Sequence, residues 1–185
     1  MKLVLDIGKP GEQPPRKTFH WALEFPEVFL SDSSGKGFDA LVGNPPFQGG
    51  QKITGILGTD YRDFLVEKVA NGKRGSADLC AYFFLRAQQL LNSQGGFGLV
   101  ATNTIAQGDS REVGLDQLVA NNCVIPRAVP SRKWEGTASL EVAHVWLRKG
   151  NWQGEFILDE KPVEGITAFL TRPGKAVGNP HRLVS

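Results

Sequence analysis

Apolar residues in this chain fall into short runs of strand length separated by stretches of helical period. Ala40 to Gly43 is one such run, the length of a buried parallel strand, and it stops at Asn44. Phe97 to Ala101, Cys123 to Val129 and Leu140 to Leu147 repeat the pattern, and Trp152 to Leu158 gives a weaker version. Between the first two lies the clearest helix, from about Ser76 to Ser93. Its apolar stripe is Leu79, Cys80, Phe83, Phe84, Ala87, Leu90 and Leu91. Ser76 is the expected N-cap and Gly95-Gly96 the expected stop. A shorter helix is expected over 60–70, ended by Asn71-Gly72. Another opens at Asp109 or Ser110, with Glu112 set to close a capping box on Asp109, and ends at Asn121-Asn122.

The remaining stretches read as connections. Met1 to Ile7 is a strand or helix end, Gly8 to Lys17 a loop and Ser31 to Lys36 a polar turn. The aromatic segment 20–29 is expected to pack beside a sheet. Gln48 to Thr59, Gly-rich and polar, is either a mobile loop near a site or a long connection. Glu160 to Ser185 thins into loop. The alternation of strand and helix predicts an α/β fold with a mostly parallel, doubly wound sheet. In it, 38–43 and 97–102 are adjacent parallel strands with the 76–93 helix as a right-handed crossover.

Composition narrows this picture only a little. A chain of 185 residues suits one domain or a piece of a larger one, and 41% hydrophobic with 22% charged is ordinary globular material. A net charge of +2 does not announce a nucleic-acid binder. Cys80 and Cys123 lie in apolar runs and read as reduced core residues of a cytoplasmic protein. His20, His144 and His181 form no cluster with them, so no metal site is expected, and no segment reads as a signal peptide or membrane span. Gly95-Gly-Phe-Gly98 follows a helix and enters a strand, the wrong polarity for a phosphate cradle.

The candidate chemistry sits at Asn44-Pro45-Pro46-Phe47. Neither proline has a backbone N–H, each fixes its own φ, and Pro45 keeps Asn44 out of the helical region. The Asn44 amide therefore stands at a strand's carboxyl end on a stiffened loop, the edge at which open α/β sheets bind ligands. Such a loop suits attack by an aromatic amine. The lone pair on adenine's exocyclic nitrogen is spread into the ring, and two acceptors that each take one hydrogen favour a tetrahedral nitrogen. Asn44 Oδ1 and the Pro45 carbonyl are those acceptors, and Phe47 offers a ring face to the base. A strand followed by an Asn-Pro turn is the competing reading, and the tetrapeptide alone leaves both open. Asn179-Pro180-His181, with no strand before it and no second proline, reads as plain loop.

With its flanking blocks, the tetrapeptide becomes specific. Phe25-Pro-Glu-Val-Phe29, Gly37 to Phe47, Ala77-Asp-Leu-Cys-Ala-Tyr-Phe83, Gly96 to Thr104 and Glu135 to Ala143 occur in the order of a known family. The chain resembles the S-adenosylmethionine-dependent adenine-N6 DNA methyltransferases of type II restriction–modification systems over most of residues 20–150. The resemblance implies a Rossmann-like class I methyltransferase fold, S-adenosylmethionine as cofactor and double-stranded DNA as partner. It assigns Asn44 and Pro45 to the amine, and Pro46, Phe47 and Trp134 to the flipped base. Asp78 and Phe83 would lie at the cofactor. An ordinary packed tryptophan is the equal alternative for Trp134, a helix-dipole carboxylate for Asp78 and a core ring for Phe83. Arg127, Arg132, Lys133, Arg148 and Lys149 are candidate phosphate contacts near the base pocket.

One departure stands beside the match. The family's glycine turn and acidic ribose ligand have no counterpart before residue 37 or after 150, so the fold is expected to be incomplete at its N-terminal half. The expected organisation is a lead-in over 1–36, the back half of a catalytic domain over 37–158, and a tail or start of a further region over 159–185. A missing N-terminal half, a target-recognition domain or a nuclease domain would be its partners. Rival readings are an inactive methyltransferase-fold assembly module, or an amino-methyltransferase acting on RNA or on protein glutamine.

Overall fold

The computed structural model describes residues 17, 19–30, 35–135 and 140–174. The element expected over 1–7, nearly all of the 8–17 loop, most of the 31–36 turn, positions 136–139 and the Asn179-Pro180-His181 loop lie outside them. Two single-turn helices, α1 (Trp21–Glu24) and α2 (Pro26–Phe29), open the described chain. Their rings Trp21, Phe25 and Phe29 pack on Phe38, with centroids 5.6, 5.3 and 5.3 Å from it. Phe38 is the first residue of strand β1 (Phe38–Gly43), so the aromatic segment does pack beside the sheet.

After the Asn-Pro-Pro-Phe loop the chain forms a helix where sequence suggests loop. This is α3 (Gly50–Leu57), held because Ile53 is buried and Leu57, one turn on, packs against the core. It ends at Gly58, whose φ of +87° a side chain rarely adopts. Helix α4 (Thr59–Phe64) continues into a wider turn over Leu65–Val69, and Asn71 (φ 53°) and Gly72 (φ 79°) then stop it.

Helix α5 (Leu79–Leu90) passes straight into strand β2 (Leu91–Thr102). Three expectations change here. The N-cap is Asp78 rather than Ser76, its side chain accepting from Cys80 N. Phe83 is 41% exposed, so it belongs to the outer face and not to the buried stripe. Gly95 and Gly96 lie inside β2 instead of stopping the helix. A Cβ on Gly95 would come 2.7 Å from the Phe38 carbonyl, so the glycine serves the close approach of β1 and β2.

A 3-10 turn (Asn103–Ala106) leads to α6 (Gly108–Val113) and α7 (Leu115–Ala120), and Asn122 ends the pair with a φ of 60°. The capping box does not form: the Asp109 carboxylate accepts from Ser76 N across the fold, and Glu112 reaches Arg111. Strands β3 (Cys123–Lys133), β4 (Glu141–Lys149), β5 (Phe156–Leu158) and β6 (Lys161–Val163) complete the sheet. The last of these, together with buried Ala168 and Leu170, draws 161–170 into the core cluster or its sheet where loop was expected.

The sheet order is β1-β2-β4-β3-β5-β6. As expected, β1 and β2 pair in parallel, Ala40 opposite Gly96 and Gly43 opposite Leu99. The short β3–β4 connection allows only an antiparallel return, and β4 inserts between β2 and β3. Because β4 opposes both neighbours, β1, β2, β3 and β5 all point one way, four of the six strands. One face, carrying Phe97, Leu99, Ala101, Ala143, Val145 and Leu147, is buried against the helices. The opposite face, with Gly98, Val100, His144 and Trp146, stays half-buried. Strand β1 is an edge with no partner on its outer side among the described residues, and Val42 there is 91% exposed. No helix among the described residues is long and apolar enough to cross a membrane.

Candidate active site

The carboxyl ends of β1, β2 and β3 share one edge of the sheet, and the site is built there. Strand β1 ends at Gly43, and the next residue, Asn44, is exposed while Pro45 is buried. The Asn44 amide has no hydrogen-bond partner among the described residues. Pro46 is exposed, and Phe47 is half-buried with its ring packed against the core.

Beyond Phe47 the loop is pinned. Gln48 N–H donates to Asp78 Oδ1 (3.3 Å), and Leu79 N–H donates to the Gln48 carbonyl (2.9 Å). The Arg62 guanidinium ties the next turn, donating to the carbonyls of Gly50 (3.2 Å) and Gly75 (2.7 Å). Gly50 has no room for a side chain, since a Cβ would lie 2.3 Å from the Ser76 backbone. The start of α5 is held in turn by α6: Ser76 N–H donates to Asp109 Oδ2 (2.5 Å) and Asp78 N–H to Ser110 Oγ (2.9 Å). Burial pushes the Cys80 thiol up, and the neighbouring Asp78 carboxylate, which it meets in a hydrogen bond, adds to the shift.

The end of β2 supplies the next polar group on this edge. Thr102 and Thr104 share a hydroxyl–hydroxyl bond of 2.8 Å, and Asn103 Nδ2 donates to Glu141 Oε2 (3.0 Å), which also accepts from Ser131 Oγ. Trp134, half-buried after β3, lines an open depression of about 440 Å³ with Arg132, Lys133 and Glu135. It lies on the same edge as Asn44 but three strand positions away, roughly 14 Å at the usual strand spacing.

The basic residues divide. Arg132 and Lys133 lie at this edge, Arg132 bonded to Glu160 at 2.6 Å. Arg127 sits over the Trp146 ring at 5.2 Å on the half-buried face. Arg148 and Lys149 are at the opposite end of the sheet, where Lys149 Nζ donates to the Leu91 carbonyl (2.7 Å), so they are not neighbours of the Asn44 loop. Sequence reasoning also missed Gln48, Arg62, Asp109 and Ser110 as supports of the loop. Their partners are mostly backbone groups far along the chain, which no local pattern marks.

Residues 6–133 match the family model of the Eco57I restriction-modification methylase. The chain belongs to the Eco57I restriction-modification methylase family. The match ends at the last residue of β3, so β4, β5 and β6 lie beyond it. Among solved structures, the Type IIL restriction-modification enzyme MmeI in complex with DNA superposes with a TM-score of 0.59 at 19% identity, over 72% of this chain and 19% of MmeI. The M protein of the type I restriction enzyme EcoKI gives 0.45 at 13% identity, over 62% of this chain and 21% of that one. A type I methyltransferase subunit from Streptococcus thermophilus gives 0.44 at 13%, over 66% and 25%. The methylase-family chain thus spans a quarter or less of the length of each. A search of curated protein sequences finds no match. The fold is shared with the matched part of MmeI.

Proposed function

We propose that this chain carries the base-holding part of a site-specific DNA methyltransferase that works in the cytoplasm and modifies the N6 amino group of adenine. The observation that carries the reading is the exposed Asn44 amide, without a hydrogen-bond partner among the described residues, at the carboxyl end of β1 on a loop stiffened by two prolines and pinned at Gln48. Membership of a restriction-modification methylase family supports DNA as the substrate, as does MmeI, a related fold described on DNA.

Chemically, Asn44 Oδ1 and the Pro45 carbonyl each accept one hydrogen of the adenine amine. These bonds strengthen as the nitrogen turns tetrahedral and its lone pair leaves the ring, so they favour the transition state over bound substrate. Phe47 and Pro46 give the extruded base an apolar face. No side chain need act as a base during transfer, since the methylated amine loses its proton to water afterwards. S-adenosylmethionine supplies the electrophilic methyl group when bound. The exposed Phe83 ring fits stacking against the cofactor's adenine. The Lys133 ammonium, exposed beside Trp134, is placed for a DNA phosphate.

The test is analysis of the product. Duplex DNA incubated with the cofactor-competent enzyme and labelled S-adenosylmethionine should yield N6-methyladenosine as the labelled nucleoside. Label in cytosine, in RNA or in protein glutamine would redirect the reading to another amino-methyltransferase. Absence of label from every acceptor would favour an assembly module that keeps the fold without turnover.

A further inference from the structure

We infer that Asp78 is a positioning residue for the Asn44–Phe47 loop, acting through the Gln48 amide; this deepens the function read above and rests on it for its catalytic consequence. The carboxylate is 7% exposed and its Oδ1 is spent on two backbone donors, Gln48 N–H at 3.3 Å and Cys80 N–H at 3.0 Å. The first comes from the residue directly after Phe47. The second is the helix cap that fixes where α5 begins. Gln48 answers with its carbonyl, which takes Leu79 N–H at 2.9 Å, so loop and helix are clasped by two reciprocal bonds.

A carboxylate suits this place for two reasons. Hydrogen bonds from backbone N–H to an ionised acceptor are about twice as strong as neutral ones, and the N-terminus of a helix favours negative charge. The clasp reaches Asn44 because the four residues back from Gln48 include two prolines with fixed φ. A shift at Gln48 is therefore carried along the loop to Asn44 rather than absorbed by turning peptide units. Misplacement of a reacting group by 1 Å costs up to about a hundredfold in rate. The far side of the clasp is equally fixed, since Asp78 N–H is held by Ser110 Oγ and Ser76 N–H by Asp109. A carboxylate so enclosed and so engaged is placed to hold backbone, whereas a ligand for ribose hydroxyls needs an exposed oxygen.

Two substitutions separate positioning from capping and from cofactor binding. Asp78→Ser keeps a good helix cap but is one bond too short for Gln48. Asp78→Asn keeps an acceptor of the same reach. On the 185-residue chain, amide hydrogen exchange should accelerate at Gln48 by about tenfold or more in Asp78→Ser and stay within about threefold in Asp78→Asn, with β2 and β4 amides unchanged in both. In the cofactor-competent enzyme, Asp78→Ser should lower the single-turnover rate about 10- to 100-fold with the KM for S-adenosylmethionine within about threefold, and Asp78→Asn should restore most of it. Unchanged Gln48 exchange in Asp78→Ser overturns the clasp. A raised cofactor KM with the saturating rate kept makes Asp78 a cofactor ligand and overturns the proposal. Faster Gln48 exchange in Asp78→Ser, with no methylation by the wild type, keeps the clasp and removes the function read above instead.

Discussion

Gly50 and Gly55 occupy the same helix, α3, and respond to a methyl group in opposite ways. A Cβ at Gly50 meets the Ser76 backbone at 2.3 Å, whereas one at Gly55 meets nothing within 4 Å. Gly50→Ala should cost about 1–3 kcal/mol by forcing α3 off the start of α5. Gly55→Ala should instead stabilise by roughly 0.5–1 kcal/mol, the usual gain on filling an exposed helical glycine. Chemical denaturation of the two variants checks the pair, and equal effects would remove the close approach from the account. At this scale the sequence was legible where constraint is local. Pro45 and Pro46 shape Asn44 by covalent geometry alone, so the loop and its orientation could be read directly. Asp78 could not, because its meaning lies with Gln48, thirty residues away. Phe83 was misread because helical spacing marks a face only to within one position, and Tyr82 and Phe84 take the buried places beside it.

Elements were legible in kind and less so in their limits. The β1–α5–β2 unit follows from its apolar runs, while α3 escaped notice because glycines hide the Ile53–Leu57 spacing. Helix α5 also carries a pH dependence. Burial, with the Asp78 charge second, raises the folded Cys80 thiol above its ordinary value of 9.0. A raised pKa means the folded state holds the proton more tightly than the unfolded chain. Its contribution is therefore full below about pH 9 and is lost as pH rises past it. The melting temperature should fall from pH 9 to 10.5, and Cys80→Ala should lessen the fall without abolishing it, because Cys123 and Tyr82 are raised by burial too. A wild-type profile flat across that range would contradict the buried thiol. At the other end of the chain, the residues after β5 make a comparable claim. Leu170 is 2% exposed within the main core. Leu170→Ala should then cost about 2–5 kcal/mol, as in other buried positions, and a change within 0.5 kcal/mol would return 159–174 to the status of a tail.

At the scale of the whole molecule, the sheet is open along β1 among the described residues. On its outer side, among the described residues, strand β1 offers unpaired backbone groups and a 91% exposed Val42, and no further strand there carries a cofactor-binding turn. The chain alone should for that reason bind S-adenosylmethionine weakly. Calorimetry yielding a dissociation constant in the low micromolar range, about −8 kcal/mol, would show that the residues described suffice for the cofactor. Apolar runs did not reveal the direction of β4, since a run fixes a strand and not its neighbour, nor the short strand β6, which has no run of its own. What the fold and the loop jointly claim is that Asn44 acts on the amine after the base has left the stack. On the proposed function, phosphate contacts elsewhere would hold the duplex, so this claim separates chemistry from binding. The decisive measurement is single-turnover methylation of a duplex by the cofactor-competent enzyme and its Asn44→Ala variant, with duplex affinity measured in parallel. Loss of one preorganised acceptor should slow transfer about a hundred- to a thousandfold, roughly 3–4 kcal/mol, with DNA affinity within about threefold of the wild type. A variant that methylates at near the wild-type rate would contradict the account and leave Asn44-Pro-Pro-Phe47 a turn.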